Sequence, residues 1–116
     1  MAARERRELV SRLRILLAHL LKWQYQSRRR GENRWKRSIV VSRQEISELL
    51  SDSPGLLATR AEHLLKAYLQ ARRLAGTEMR LSTREWESQF PAACPWTLEQ
   101  VMDQDFMPSE RKEPSA

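Results

Sequence analysis

The apolar positions of the first segment, residues 4–28, recur at helical spacing and predict one long amphipathic helix. At about 100° per residue they fall on an arc about 160° wide, broader than a helix with a single neighbour needs. The arc contains Leu9, Val10, Leu13, Leu16, Leu17, Leu20, Leu21 and Trp23. Ile15 lies among the charged residues on the opposite side. A stripe this broad predicts a central helix with neighbours on two sides.

Two more long helices are predicted, over residues 33–50 and residues 54–77. Ser53 is a natural N-cap, and Pro54 suits the first helical position, where its missing N–H costs nothing. Gly76 marks the expected end of the third helix. Small and apolar side chains form a stripe along that helix. They are Leu57, Ala61, Leu64, Leu65, Tyr68, Ala71 and Ala75.

The C-terminal part of the chain contains one short helix with a clear start signal. Thr97 and Gln100 have the spacing of a capping box and predict a helix over residues 98–104. Residues 80–93 show no decisive pattern, and residues 109–116 read as a disordered tail. The predicted fold is therefore all-α, a small helical bundle of three main helices plus a short capped C-terminal helix, in a single domain over residues 1–108.

Positive charge is concentrated in the first third of the chain. Residues 1–37 hold 12 of the 21 Lys and Arg residues and 3 of the 15 acidic residues, a net charge of +9, whereas the rest carries 9 and 12, a net of −3. Six cations cluster there: Arg28, Arg29, Arg30, Arg34, Lys36 and Arg37. They suit a phosphate backbone, so nucleic-acid binding is one hypothesis. The alternative is a solvated turn, which the lack of a nucleic-acid-reading motif favours.

Composition also limits where the protein works. No run approaches the ~18 apolar residues that cross a bilayer, so no membrane partner is predicted. Cys94 is the only cysteine and cannot form an internal disulfide, which is typical of a reducing compartment. We therefore expect a cytoplasmic protein.

Candidate chemistry is sparse. Cys94-Pro95 is a dipeptide that can ligate haem through the thiolate, but the favoured interpretation is that Cys94 packs as a small apolar residue before a capped helix. His19, His63 and Cys94 would form a nominal metal set, but nothing in their spacing brings them together. Glu99 has a structural explanation at the start of a helix. The sequence therefore predicts no catalytic, cofactor-binding or metal-ligating residue.

Three stretches resemble the bacterial domain of unknown function 29 family. The first is Leu16-Leu17-Ala18-His19-Leu20-Leu21-Lys22-Trp23-Gln24-Tyr25-Gln26; the second is Ala67-Tyr68 with Ala71-Arg72; the third is Cys94-Pro95-Trp96-Thr97-Leu98-Glu99-Gln100-Val101 with Asp103, Asp105, Phe106 and Pro108. They run from Leu16 to Pro108 and relate residues 4–108 to the family. The resemblance implies an all-helical fold and no assigned function. Family members usually carry a further helix before this point, so the resemblance implies either a truncated reading frame or a domain that lacks this helix.

If part of the apolar stripe of the first helix has no neighbouring helix over it, that part would form an interface with another protein. The candidate interface residues are Leu9, Leu13, Ile15, Leu16, Leu20 and Trp23. Large apolar side chains grouped at a surface mark contacts with a second copy or with a helical protein partner. The alternative is that residues 81–93 and the short last helix fold back over the stripe. The leading hypothesis is a non-enzymatic interaction or self-associating module.

Overall fold

The structure is a computed structural model that describes residues 3–26 and 32–108. Its helices are α1 (Ala3–Tyr25), α2 (Glu32–Asp52), a 3₁₀ helix (Pro54–Thr59), α3 (Arg60–Glu78), α4 (Thr83–Gln89) and α5 (Leu98–Met102). The described residues contain no strand. The predicted all-α fold is confirmed, with α4 as an additional short helix. The predicted tail, residues 109–116, lies outside the described residues.

Helix α1 is the centre of the bundle, because α2 and α3 both pack along it. Every residue of its broad apolar arc is buried, from Leu9 at the start to Trp23 near the end. A helix enclosed by two neighbours needs an apolar arc wider than a surface helix does. The predicted central position of this helix is therefore confirmed, and most of the core belongs to its two interfaces.

The third predicted helix begins with a tighter turn than its sequence suggests. Ser53 occupies the N-cap position before Pro54, but its side chain makes no capping hydrogen bond and the first six residues form the 3₁₀ helix. The α-helical part starts only at Arg60. Leu57, in the 3₁₀ helix, is exposed, and so are Ala61 and Leu65, which fall off the buried arc of α3, whereas Leu64, Tyr68, Ala71 and Ala75 are buried.

Helix α3 continues two residues past Gly76 to Glu78, one residue beyond the predicted span. Its C-terminus is closed by two backbone hydrogen bonds, from Leu81 N to Gly76 O (2.9 Å) and from Arg80 N to Thr77 O (3.0 Å). This is a Schellman motif with Arg80 in the left-handed position, at φ 61°. Gly76 serves another purpose: any Cβ there would collide with the Trp86 ring of α4.

Both short helices begin with capping boxes. In α5, Gln100 N donates to Thr97 Oγ1 at 3.1 Å and Thr97 N donates to Gln100 Oε1 at 2.9 Å, which confirms the predicted pair. The helix is shorter than predicted and ends at Met102. Ser82 and Glu85 form the same reciprocal pair at the start of α4.

Candidate protein-binding groove

Five of the six predicted interface residues are not available at the surface. Leu9, Leu13, Leu16 and Leu20 are fully buried and Trp23 is 5% exposed, because α2 and α3 cover both sides of α1. Residues 81–93 contain α4, which packs on α3, and Phe90, whose ring centre lies 5.2 Å from that of Tyr25 at the end of α1. Ile15 alone remains exposed, at 42%. These five residues therefore belong to the core and not to a surface interface.

A surface groove runs between α1 and α3 on the side of α1 that faces away from α2. It consists of two adjoining depressions of about 540 Å³ each, which share Arg14 and Gln70. The first also contains residues of both helices: Ala3, Arg6, Arg7, Val10, Ser11, Glu62, His63 and Lys66. The second continues along α3 and contains Leu69, Arg73, Leu74 and Thr77. We call these lining residues together the α1/α3 groove.

The α1/α3 groove is strongly basic. Five cations line it, Arg6, Arg7 and Arg14 from α1 and Lys66 and Arg73 from α3, against one acid, Glu62. None of the five takes part in an ion pair or side-chain hydrogen bond among the residues that the structure describes, and the Nε of Arg14 is buried without a partner there. Unpaired cations concentrated in a concave surface create a positive potential that attracts acidic ligands.

His63 forms part of the groove wall and is 7% exposed. Its Nε2 lies 2.7 Å from Oγ1 of Thr59, one turn earlier. Burial lowers the pKa of His63 below its usual value; Arg6 and Lys66 act in the same direction, while Glu62 opposes them. The imidazole is therefore neutral at pH 7 and responds to the charges that surround the groove.

Two leucines of α3 give the groove an apolar edge. Leu65 and Leu69 are 51% and 50% exposed, and Leu69 itself lines the second depression. Residues four apart lie next to one another on a helix surface, so the two side chains form one ridge. This ridge was not predicted from the sequence, because Leu65 was expected in the buried stripe of the third helix. The spacing of Leu65 and Leu69 was the available signal, since both fall off the arc of Ala67, Ala71 and Ala75.

The predicted nucleic-acid candidates lie elsewhere. Arg34, Lys36 and Arg37 are exposed on the first turns of α2, and Nζ of Lys36 lies 5.4 Å from the centre of the Trp23 ring. Arg28, Arg29 and Arg30 lie outside the described residues. None of the three described cations lines the α1/α3 groove.

Cys94 is half-buried, and its Sγ donates to the carbonyl oxygen of Trp96 at 3.3 Å. Burial raises the pKa of its thiol, which makes the thiolate less accessible. Tyr68, close enough to Cys94 for their charges to interact, donates to the carbonyl oxygen of Pro91 at 2.6 Å. These contacts hold residues 91–96 against α3, so the packing explanation of Cys94 accounts for what surrounds it.

A second charged cluster lies at the far end of α1. Lys22 is 9% exposed, pairs with Glu78 at 3.1 Å and faces the ring of Trp35 at 5.7 Å. Nδ1 of His19 is buried there without a hydrogen-bond partner among the described residues. Burial lowers the pKa of His19, and Lys22 adds to that shift. No three potential metal ligands come together in the part of the chain that the structure describes.

Arg43 and the acidic residues after α5 have structural contacts. Glu99 lies 3.6 Å from Arg60, and Asp103 accepts a hydrogen bond from the backbone of Asp105 at 2.9 Å. Arg43 is 2% exposed and donates to the carbonyl oxygens of Val101 and Phe106. Within residues 3–26 and 32–108, no helix is long and apolar enough to span a membrane.

Comparison with known proteins finds one similarity. No curated protein and no solved structure matches the chain. The model of one family, described as a domain of unknown function, matches residues 1–107, nearly the whole chain. Apart from Pro108, the three stretches named above lie inside the matched range. The chain therefore belongs to the DUF29 family.

Proposed function

We propose that this protein is a non-enzymatic interaction module which binds an acidic, partly apolar segment of another protein in the α1/α3 groove. The observation that carries the proposal is the combination of five cations, unpaired among the described residues, with Leu69 in one concave surface and the exposed Leu65 one turn before it on α3. The single cysteine of the chain favours a cytoplasmic setting for this interaction.

The electrostatic support for the proposal comes from the five groove cations, which have no acidic partner among the described residues. Some surface cations of the bundle have acidic partners, Arg12 with Glu8 and Glu45 and Arg60 with Glu99, whereas exposed cations such as Arg84 have none among the described residues. Each exposed ion pair contributes only about 0.2–1 kcal/mol, but several in one groove give both orientation and fast association.

The apolar part of the proposal favours protein over nucleic acid. Leu65 and Leu69 offer hydrophobic contact at one-turn spacing, which suits the apolar face of a partner helix. Single-stranded nucleic acids bind instead to surfaces with aromatic side chains, and the lining of the α1/α3 groove contains no aromatic residue.

The two histidines of the chain allow a direct test by NMR. His63 lies in the groove wall, whereas His19 does not line the groove. A synthetic amphipathic helix with leucines one turn apart and glutamates on the flanks should shift the imidazole signals of His63 and leave those of His19 unchanged. Its affinity, measured by fluorescence anisotropy, should fall as NaCl is raised from about 0.05 M to about 0.5 M, because salt screens exposed charges.

Charge reversal supplies the control. The double variant Arg7→Glu and Lys66→Glu should weaken peptide binding by about tenfold or more, since two attractions become repulsions. Arg84→Glu removes an exposed arginine of α4 and should bind the peptide like the wild type. A lysine-substituted peptide should not bind. If duplex DNA or single-stranded RNA binds the groove and the acidic peptide does not, the proposal is wrong.

A further inference from the structure

We infer that one acidic partner of the α1/α3 groove is a second copy of this chain, docked through the outer face of α2. This inference rests on the proposed function, because it names an occupant for the same groove. The docking residues are Val41, Glu48 and Asp52 on α2, together with Asp103, which follows α5. We call these four residues the acidic face. Gln104 Nε2 donates to Val40 O at 3.2 Å, which places Asp103 alongside α2.

The acidic face has the same two components as the groove, with the opposite charge. Glu48, Asp52 and Asp103 are exposed, and no ion pair among the described residues includes them. Val41 is 43% exposed and is preceded by Val40 at 41%. On α2, Glu48 and Asp52 are one turn apart and Val41 is two turns before Glu48, so the three share one outward ridge.

The position of these acids in their own helix indicates that they serve something outside it. Glu48 and Asp52 lie at the C-terminal end of α2, and no basic residue lies in its last turn. Carboxylates at a helix C-terminus are opposed by the helix dipole, and two like charges one turn apart repel one another. Cations docked from a neighbouring molecule would remove both unfavourable interactions. Local conflicts of this kind are typical of functional positions.

The two surfaces cannot neutralise each other within one molecule. The α1/α3 groove opens on one side of α1, and α2 packs against another, where Arg12 of α1 pairs with Glu45 of α2. The acidic face lies beside that seam, because Glu45 falls on the same ridge of α2 as Val41 and Glu48, and none of its residues lines the α1/α3 groove. One copy can therefore present its acidic face to the groove of another copy, where carboxylates meet Arg7, Arg14 and Lys66, and Val41 reaches the Leu65–Leu69 ridge.

Sedimentation velocity over a dilution series tests the inference. In about 0.05 M NaCl the weight-average mass of the wild type should rise with concentration, and this rise should disappear at about 0.5 M NaCl. Glu48→Lys with Asp52→Lys should keep the protein monomeric, and so should Arg7→Glu with Lys66→Glu. Combining all four substitutions in one chain reverses both surfaces and should restore association. A loss caused by misfolding would not be restored.

The outcomes separate this inference from the proposed function. The Glu48→Lys and Asp52→Lys variant leaves the groove intact, so it should bind the acidic peptide at least as tightly as the wild type. A wild type that binds the peptide but stays monomeric at every concentration overturns self-docking and leaves the proposed function standing. Failure to bind the peptide and failure to associate would overturn both. Association that survives the single-surface reversals would show that another face makes the contact.

Discussion

Arg80 occupies a backbone position that favours glycine. It is the C′ residue of the Schellman motif after α3, with φ at 61°, and it has the only positive φ among the described non-glycine residues. A side chain in the left-handed region brings its Cβ close to the following carbonyl oxygen, at a cost of about 1–2 kcal/mol. The two backbone hydrogen bonds that close α3 hold the residue there.

Arg80→Gly should therefore stabilise the protein. Removing Cβ relieves the strain, while the greater freedom of glycine in the unfolded chain offsets part of the gain, so we expect the free energy of unfolding to rise by about 0.5–1 kcal/mol. Urea denaturation measures it. Arg80→Ala is the matched control, because it deletes the same charge and stem but keeps Cβ. If both variants have the same stability, the strain is absent.

Gly76 illustrates what residue-level prediction cannot decide. A glycine near a helix end has two explanations, a stop and a close approach by another element, and the sequence alone favours the first. The second applies here, since Trp86 packs against the backbone of α3 at this point. The distinction depends on where α4 lies, which no local pattern around residue 76 reports.

The two short helices are stabilised in the same way at the element scale. Each begins with a capping box, Ser82 with Glu85 and Thr97 with Gln100. Each has a buried or half-buried arginine at its C-terminal end: Arg72 donates to the carbonyl oxygens of Glu87 and Phe90, and Arg43 to those of Val101 and Phe106. Helices of seven and five residues are too short to be stable alone, so these contacts with α3 and α2 keep them folded.

Arg43→Met should unfold α5 before the rest of the bundle. Methionine preserves most of the buried volume but leaves the carbonyl oxygens of Val101 and Phe106 without their donor, which costs about 1–3 kcal/mol for each buried acceptor. We expect the free energy of unfolding to fall by about 2–4 kcal/mol and amide exchange to speed up over residues 98–106. Arg37→Met, an exposed position on the same helix, should change neither quantity; equal effects would contradict the assigned role.

Only half of this arrangement can be predicted from sequence. A capping box spans four consecutive residues, so the Thr97–Gln100 pair is visible, and the Ser82–Glu85 pair carried the same signal for α4. The contacts of Arg43 join residues that are 58 and 63 positions apart in sequence. No local spacing identifies such partners, and a buried arginine looks like any surface cation until α2 and α5 are packed together.

At the scale of the whole molecule, the breadth of the α1 stripe predicts a helix with two neighbours, and the fold confirms it. The width of the apolar stripe does not predict which elements cover it. The same leucines could therefore face either a partner protein or α2 and α3, and in the fold α2 and α3 bury them. The α1/α3 groove could not be predicted from sequence for the same reason. Arg7 and Lys66 are remote in sequence and become one basic surface only after α1 and α3 align, so charge clustering along the chain pointed to residues 28–37 instead.

The packing of α1 also makes stability depend on pH. The chain has two histidines: His19 lies near Lys22 and Glu78, and His63 near Arg6, Glu62 and Lys66. Burial is the main reason why both have a pKa below 6.5 in the folded state. The unfolded chain therefore binds more protons than the folded chain just below that value, and the free energy of unfolding must increase with pH there.

We expect the free energy of unfolding to rise from about pH 5 to about pH 7 and to level off above, because above pH 7 both states hold neutral imidazoles. Urea denaturation at a series of pH values measures this. His19→Gln and His63→Gln should each remove part of the slope, and the double variant should be nearly flat in this window. Hydrogen bonds from Ser82 lower the pKa of Glu85, so this carboxylate affects the pH dependence only at more acidic pH. There its stabilising contribution is lost as it becomes protonated. A double variant that keeps the wild-type slope would show that the pH dependence comes from other groups.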